Sequence, residues 1–509
     1  MVESVPMSKP NRAAEVVLAL DIGTGGVRVN VYTLEGMLVA TSETKYPTYY
    51  ERPAWAEQEP EDWWQATMLT LREIATQLDH SGLAYHIRAI GLTGQSPSIA
   101  PFDQTGKALR RSLIYQDNRA MHEAQELVER LGGREAVHQR TGHDPAAFYI
   151  GPKLLWLQKY EPEVFAATHL WMQPRDFIVW RLTGIPATDW SHAGSTLLFD
   201  ITTHSWDDDL FERLAIPRST FPPALAPWTI VGEMRSAVAK EAGLPPHIPV
   251  VLGGADSQCC VVGAGVLHPG ELSDMAGTST CLNMATRPPL SDLRIANYCH
   301  VVPEWWCTEL GLNASGAAFA WLATQLAPPG TAPIFAECER AAAHAAPGAS
   351  GLIFLPYLAD GERTNPGLRG GFCGLSLRHD RGDLARAVFE GVAFAIREYV
   401  DIMAEAGAPV RMIHVSGGAA HAHLWNQIKA DVIGVPVLSV SSDATALGVA
   451  IVAATAVGAY SSLELAVAAN VKMTHRYEPT HALADLYAER YTRFRMLAQV
   501  TAEPMEGYE

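Results

Sequence analysis

Two hydrophobic rhythms alternate along the first hundred residues. "EVVLALDIG" from Glu15, "VRVNVYT" from Val27 and "MLVATSE" from Met37 are runs of strand length rich in Val, Leu and Tyr, and "LEG" turns the second into the third. Three successive strands, a β-meander, are predicted there. "PEDWWQATMLTLREIATQL", from Pro60, changes to apolar residues three and four apart, which predicts a helix with an acidic first turn. Strand patterns return at "IRAIGLTGQ" from Ile87 and at "PVVLGGADSQ" from Pro249. Strands alternating with crossover helices imply an α/β layer architecture. The stretch from Ala444 to Tyr460 holds no charge over 17 residues. Its Ala and Gly content makes it weakly apolar and it is at the short limit for a membrane span, so a buried helix capped by Ser442 or Asp443 is expected.

Between the first two strands stands Asp21, followed by a Thr embedded in glycines, "DIGTGG". Gly23, Gly25 and Gly26 suit a hairpin turn with positive backbone dihedrals. A turn without side chains also lets successive N–H groups face a phosphate, with the Thr24 hydroxyl as a further donor. Asp21 would repel such an anion unless a divalent cation lay between them, and Mg²⁺ keeping several waters meets that need. A weak echo occurs at "MAGTSTCLNMATR" from Met275, where Gly-Thr again precedes a strand-like run. Two related domains would explain it, with Met275 in the place of Asp21 and an acid in the first copy alone.

The chain has 509 residues, enough for two or three domains. With 48% hydrophobic and 18% charged residues it has the composition of a globular protein. A formal net charge of −17 opposes binding to nucleic acid or to an anionic membrane, so an anionic ligand would need local N–H groups, a few basic side chains and a metal ion. The seven cysteines, all from Cys259 onward, form no CxxC pair and are odd in number, which points to reduced thiols packed as small apolar groups. The first twenty residues lack the apolar core of a signal peptide, and the cytoplasm is the expected location. Neither a Walker A sequence nor a strand followed by GxGxxG is present, so a phosphate site must be of the hairpin kind.

Longer motifs carry a family likeness. "YIGPKLLWLQ" from Tyr149 and "GGFCGLSLRHDRGDLARAVFEGVAFA" from Gly370 resemble the two signatures of the FGGY carbohydrate kinases, within the actin-like ATPase and sugar-kinase superfamily. The resemblance runs from about Glu15 to about Tyr491. Among these kinases, "PAWAEQEPEDWW" from Pro53, "QPRDFIVWRLTG" from Gln173, "ATDWSHAGST" from Ala187 and "FLPYLADGERT" from Phe354 are similar to stretches of xylulokinases. The resemblance implies two ribonuclease-H-like α/β domains with a catalytic cleft between them: residues 15–263 for sugar and the first phosphate hairpin, residues 264–491 for ATP, and terminal extensions at 1–14 and 492–509.

It also implies roles. Asp256 in "GGADSQ" falls at the catalytic base and Asp21 at the carboxylate that orders Mg²⁺. Thr24, Gly25 and Arg28 fall at the first phosphate hairpin, Gly277 and Thr278 at the second, and Gly316 at a further nucleotide-side glycine. Gly417, Gly418 and Ala419 would let a purine approach the backbone, and Asn426 begins the helix behind it. ATP, Mg²⁺ and a small sugar are the implied ligands, with a homodimer among the assemblies the likeness allows. D-xylulose is the first substrate expected, yet xylulokinases carry Gln-Met-His where this chain reads Gln95-Ser96-Pro97. Losing the imidazole removes a hydrogen-bonding group, so Gln95 and Ser96 are candidate sugar contacts in a pocket open to another ketopentose, a tetrulose, a polyol or gluconate. Competing classes are a non-catalytic sugar or nucleotide sensor, which needs no base at the acceptor, and a polymerising actin-like ATPase, which would lack both signatures.

Overall fold

The computed structural model describes residues 13–327, 335–359, 361–362, 365–441 and 443–502. The chain divides into two compact units. One runs to Leu131 and takes in Ala146–Cys259 and Val449–Asn470; the other comprises Gly132–Pro145, Cys260–Gly448 and the chain from Val471 on.

The first unit is built on a six-stranded sheet. The predicted meander forms as β1 (Ala14–Ile22), β2 (Gly26–Thr33) and β3 (Leu38–Lys45). Helix α1 (Pro60–His80) follows, then β4 (Tyr85–Gly94). Further on come α2 (Pro174–Thr183), the short α3 (Trp190–Gly194), β5 (Ile230–Glu233), β6 (Pro249–Val251) and α4 (Asp256–Gly263). The strand order is β5-β6-β4-β1-β2-β3. Val16 to Leu20 are buried without alternation because β1 is central and covered on both faces. Pro60 at the first helical position and Glu61 and Asp62 beside it suit the positive end of α1, which buries Trp63, Leu71, Ile74 and Leu78.

In the second unit the sheet strands are β7 (Glu271–Ala276), β8 (Thr280–Thr286), β9 (Ala296–Cys299), β10 (Trp306–Leu312), β11 (Met412–Ser416), β12 (Val437–Val440) and β13 (Met473–Tyr477). Helices α5 (Gly316–Leu326), α6 (Arg381–Glu405), α7 (His423–Ile433), α8 (Ala444–Ala456) and α9 (Ala484–Thr501) complete the frame. The order is β9-β10-β8-β7-β11-β12-β13. From the central strand outward, each sheet has antiparallel strands on one side, two in the first sheet and three in the second, and two parallel strands then an antiparallel edge on the other. The internal echo is therefore architectural. Register places Asp21 opposite Arg28 and Met275 opposite Cys281, each the last strand position but one before its turn, so the first copy alone carries the acid.

By compactness the chain is divided differently from the family-based halves 15–263 and 264–491. The units exchange segments at 132–145 and 449–470, and α4 passes from one to the other after Cys259. Helix α9 also continues beyond residue 491, since Tyr487, Tyr491, Phe494 and Ala498 lie on one buried face. The charge-free segment is helix α8, largely buried, and Asp443 Oδ1 accepts from Ala446 N–H at 3.3 Å at its start; Ser442, the other expected cap, lies outside the described residues. Among the described residues no helix is long and apolar enough to cross a membrane.

Candidate active site

The β1–β2 turn is closed by Gly23 N–H donating to Gly26 O at 3.0 Å. None of Gly23, Gly25 and Gly26 has a positive φ, which corrects the expected reason for them. A Cβ on Gly26 would come within 2.6 Å of Thr44 O on β3, so packing excludes a side chain there. At Gly25 a Cβ would meet nothing within 4 Å, and the exposed turn is open on that side. Thr24 Oγ1 donates to the Tyr115 hydroxyl at 3.3 Å. The Tyr46 hydroxyl donates to Gly23 O, and burial, then the Asp21 charge, push that phenol far above its ordinary range.

Asp21 is partly buried and heads a row across the sheet, with Arg28 opposite it on β2 and Glu43 opposite Arg28 on β3. Arg28 Nη2 donates to Glu43 Oε2 at 2.8 Å in an exposed pair. The guanidinium expected on a phosphate is therefore engaged by a carboxylate.

Gln58 supports this turn and escaped the sequence reading, although it stands inside "PAWAEQEPEDWW". Its amide donates to Thr24 O and Thr48 Oγ1, both at 2.8 Å, while its oxygen accepts from Trp63 Nε1 at 3.0 Å and Gln95 Nε2 at 2.7 Å. Gln95 is only 2% exposed, and its oxygen accepts from Ser98 Oγ at 3.4 Å. Gln95 thus faces the hairpin's support. Ser96 is less enclosed: Oγ lies 3.0 Å from Gln173 Oε1 and 2.9 Å from Ser195 Oγ. Beneath it, Lys153 of "YIGPKLLWLQ" donates to Ile114 O and Phe148 O at 2.7 Å and to Pro97 O at 3.4 Å. Burial pulls that ammonium down to about 7.

Asp256 opens α4 after Gly253-Gly254-Ala255. Gly253 has φ +68°, and a Cβ there would lie 1.8 Å from Leu92 O, so this approach of the chain to β4 requires glycine. Asp256 Oδ1 accepts from Ser257 N–H at 2.8 Å. Burial raises the Asp256 pKa, with that N–H and the nearby His192 pulling the other way. Behind it lies a sealed ionic cluster that the sequence reading missed. Arg175 Nη2 donates to Asp189 Oδ1 at 2.6 Å and lies 2.9 Å from Asp176 Oδ1, and His192 Nδ1 is 2.6 Å from Asp189 Oδ1. Burial would raise Asp189, but Arg175 and His192 outweigh it and hold the carboxyl at about 2. Burial dominates at Asp176 and raises it.

In the second unit the turn Gly277-Thr278-Ser279 is exposed, and Gly277 N–H donates to Ser279 O at 2.9 Å. Thr278 O accepts from Ala317 N–H at 2.9 Å at the start of α5. Gly316 and Gly417 are both required by close approach: Cβ atoms there would lie 2.2 Å from Gly277 O and 2.7 Å from Ala276 O. Gly277, Thr278, Gly316 and Gly417 are thereby brought together. Gly418 is open, Ala419 is 8% exposed, and Asn426, one turn into α7, donates to Ala419 O at 3.0 Å. Within the first unit the bare turn, the Thr24 hydroxyl and the single carboxylate at Asp21 fit a phosphate with a largely water-coordinated Mg²⁺, and within the second the bare Gly277–Ser279 turn with the Thr278 hydroxyl offers phosphate donors of the same kind.

Sequence models of the N-terminal and C-terminal domains of the FGGY family of carbohydrate kinases match residues 16–263 and 273–457. The chain belongs to that family. It is 30% identical over 496 residues to a xylulose kinase of Staphylococcus epidermidis, covering 96% of this chain and 97% of that one. A glycerol kinase of Gloeobacter violaceus is 33% identical over 470 residues, covering 89% and 90%. The crystal structure of a xylulose kinase from Rhodospirillum rubrum superposes with a TM-score of 0.88 at 32% identity, covering 95% of this chain and 98% of that one. The two-domain α/β carbohydrate-kinase fold expected from the motifs is the fold observed.

Proposed function

We propose that the protein transfers the γ-phosphoryl group of Mg-ATP to a hydroxyl of a small sugar, D-xylulose first, giving D-xylulose 5-phosphate. The observation that carries the chemistry is Asp256, a partly buried carboxylate with raised basicity at the head of α4, next to the sealed Arg175–Asp189–His192 cluster. Mg-ATP supplies the electrophilic phosphorus and neutralises charge on the leaving diphosphate. Asp256 accepts the acceptor's proton as its oxygen attacks, and a weak base in the right place suffices because the hydroxyl acidifies late in the transfer. Asp21 would hold the ion through water, and Thr24, Gly25, Gly277 and Thr278 would offer donors to the phosphates. Arg28 would have to leave Glu43 to join them. Gly316, Gly417, Gly418, Ala419 and Asn426 would form the nucleoside side, and Ser96, held by Gln173 and Ser195 next to Gln95, the sugar side.

A second reading keeps the mechanism and changes the acceptor to a polyol or another ketose. It is favoured by Ser96-Pro97 in place of Met-His and by the glycerol kinase among the relatives. The experiment is ADP release by the purified protein with Mg²⁺ and ATP over a panel of pentuloses, tetruloses, polyols and gluconate, beside Asp256→Ala. Turnover on D-xylulose that disappears in the variant supports the reading. Turnover on another acceptor alone replaces the substrate, and none on any acceptor overturns the kinase assignment.

A further inference from the structure

The loop that carries Ser96 is tied to a buried cation on the helix Ile150–Tyr160. The Lys153 side chain is 0% exposed, and its Nζ donates to Ile114 O and Phe148 O at 2.7 Å and to Pro97 O at 3.4 Å. Three main-chain oxygens from three separate segments thus match the three N–H groups of an ammonium. The nearby carboxylate, Asp117, is engaged elsewhere, by Arg119 at 2.6 Å and by Ala56 N–H at 2.7 Å.

The same helix reaches Ser96 from a second direction. Ile150 N–H donates to Ser195 O at 3.4 Å, and a Cβ on Gly151 would come within 3.1 Å of Thr196 O. Its first turn therefore lies on the segment whose Ser195 hydroxyl is 2.9 Å from Ser96 Oγ. Past Pro97 the loop is joined to its neighbour by Ile99 N–H donating to Leu113 O and Leu113 N–H to Ile99 O, both at 3.0 Å. Pro97 O lies between these fixed points and is held by Lys153.

A neutral amine has two N–H groups and a lone pair, so facing three carbonyl oxygens it must abandon one. The long bond to Pro97 is the one placed to break. Burial drives Lys153 toward that neutral form; of the charged groups that face it, Asp117 opposes and Arg119, itself 2.7 Å from Glu57, assists, and the ammonium falls to about 7.

We propose that Lys153 is a positioning residue for the acceptor: its ammonium, through Pro97 O, holds the loop that presents Ser96 to the sugar, and loss of its proton releases that loop. The inference rests on Ser96 belonging to the sugar side of a kinase. Fully enclosed, Lys153 acts through the loop.

The first test needs no substrate. Pro97-Ser98 is the only Pro-Ser pair in the chain, so protein labelled with carbonyl-¹³C proline and ¹⁵N serine gives a single coupled signal that reports the oxygen Lys153 holds. That signal should move between about pH 6 and about pH 8.5 with its midpoint near the Lys153 value, and should not move over that range in Lys153→Met. A signal that does not titrate, or that titrates alike in the variant, overturns the proposal. With whichever acceptor the wild type phosphorylates, the acceptor KM should rise about three- to tenfold over the same range while the ATP KM changes less than about twofold. Lys153→Met should show the raised acceptor KM at every pH. Lys153→Arg, which keeps the charge and serves where the Met variant does not fold, should lose the pH dependence. An acceptor KM independent of pH in the wild type, or equally dependent in Lys153→Arg, overturns the proposal too. A wild type inactive on every acceptor strikes the kinase reading, and the carbonyl signal still decides whether Lys153 holds the loop.

Discussion

Gln95 donates to Gln58 at 2.7 Å, and Gln58 donates to the main-chain oxygen of Thr24 at 2.8 Å, so a strand end is wired to the hairpin turn through one side chain. Gln58 is fully buried with every hydrogen-bonding position filled. Gln58→Ala strands several buried groups at about 1–3 kcal/mol each, less whatever relaxes. Urea unfolding should show a loss on the order of 2–4 kcal/mol, and the KM for ATP should rise more than that for sugar. A selective rise in sugar KM would detach Gln58 from the phosphate side.

Two glycines should respond oppositely. At Gly253 the positive φ and the approach to Leu92 O both forbid a Cβ, so Gly253→Ala should lose about 3 kcal/mol or more and lower Tm. Gly25→Ala meets open space and should fold with Tm nearly unchanged. Its methyl stands where phosphate N–H donors are proposed, so kcat/KM for ATP should fall. Equal Tm losses would refute the contrast.

The legible parts of this molecule were those written in local pattern. The meander, α1 and the charge-free α8 follow from runs and spacings a few residues long, and the Gly-Thr echo became the shared strand order of two sheets. What stayed hidden is long-range. Gly26 is explained by Thr44, Gly316 by Gly277, and Arg28 by Glu43, none of them sequence neighbours. The Arg175–Asp189–His192 cluster was inside two quoted motifs, but a buried ion pair and an exposed one read alike in sequence.

Asp189 ties acid stability to the proposed base. Its pKa falls from 3.8 to about 2, so it contributes stability above the unfolded value that is lost as pH drops through the folded one. Asp189→Asn leaves Arg175 short of a partner and should cost about 3–5 kcal/mol at neutral pH. Measured by denaturant melts, the gap between wild type and variant should narrow from about pH 4 to about pH 2. A constant gap would mean that the carboxylate's charge is not what stabilises the cluster.

Asp256 has a raised pKa, so its useful form is lost at a higher pH than for an ordinary Asp. The kcat/KM profile should therefore bend down on the acid side above about pH 4, the unperturbed carboxylate value. An acid limb at or below that value would place the titration on another group.

Ser96 distinguishes a sugar pocket from a structural loop. Its hydroxyl lies between Gln173 Oε1 and Ser195 Oγ, and it is less enclosed than Gln95 beside it. If the hydroxyl only braced the loop, Ser96→Ala would lower stability by about 1 kcal/mol and leave KM values alone. If it presents an oriented donor or acceptor to the sugar, the sugar KM should rise about three- to tenfold with ATP KM unchanged, since one lost hydrogen bond to a neutral group is worth about 0.5–1.5 kcal/mol. Running the variant across ketoses and polyols sharpens the test, because the penalty should appear only for acceptors with a hydroxyl in reach of Ser96. A uniform penalty on all acceptors would return Ser96 to the scaffold and leave discrimination to other residues.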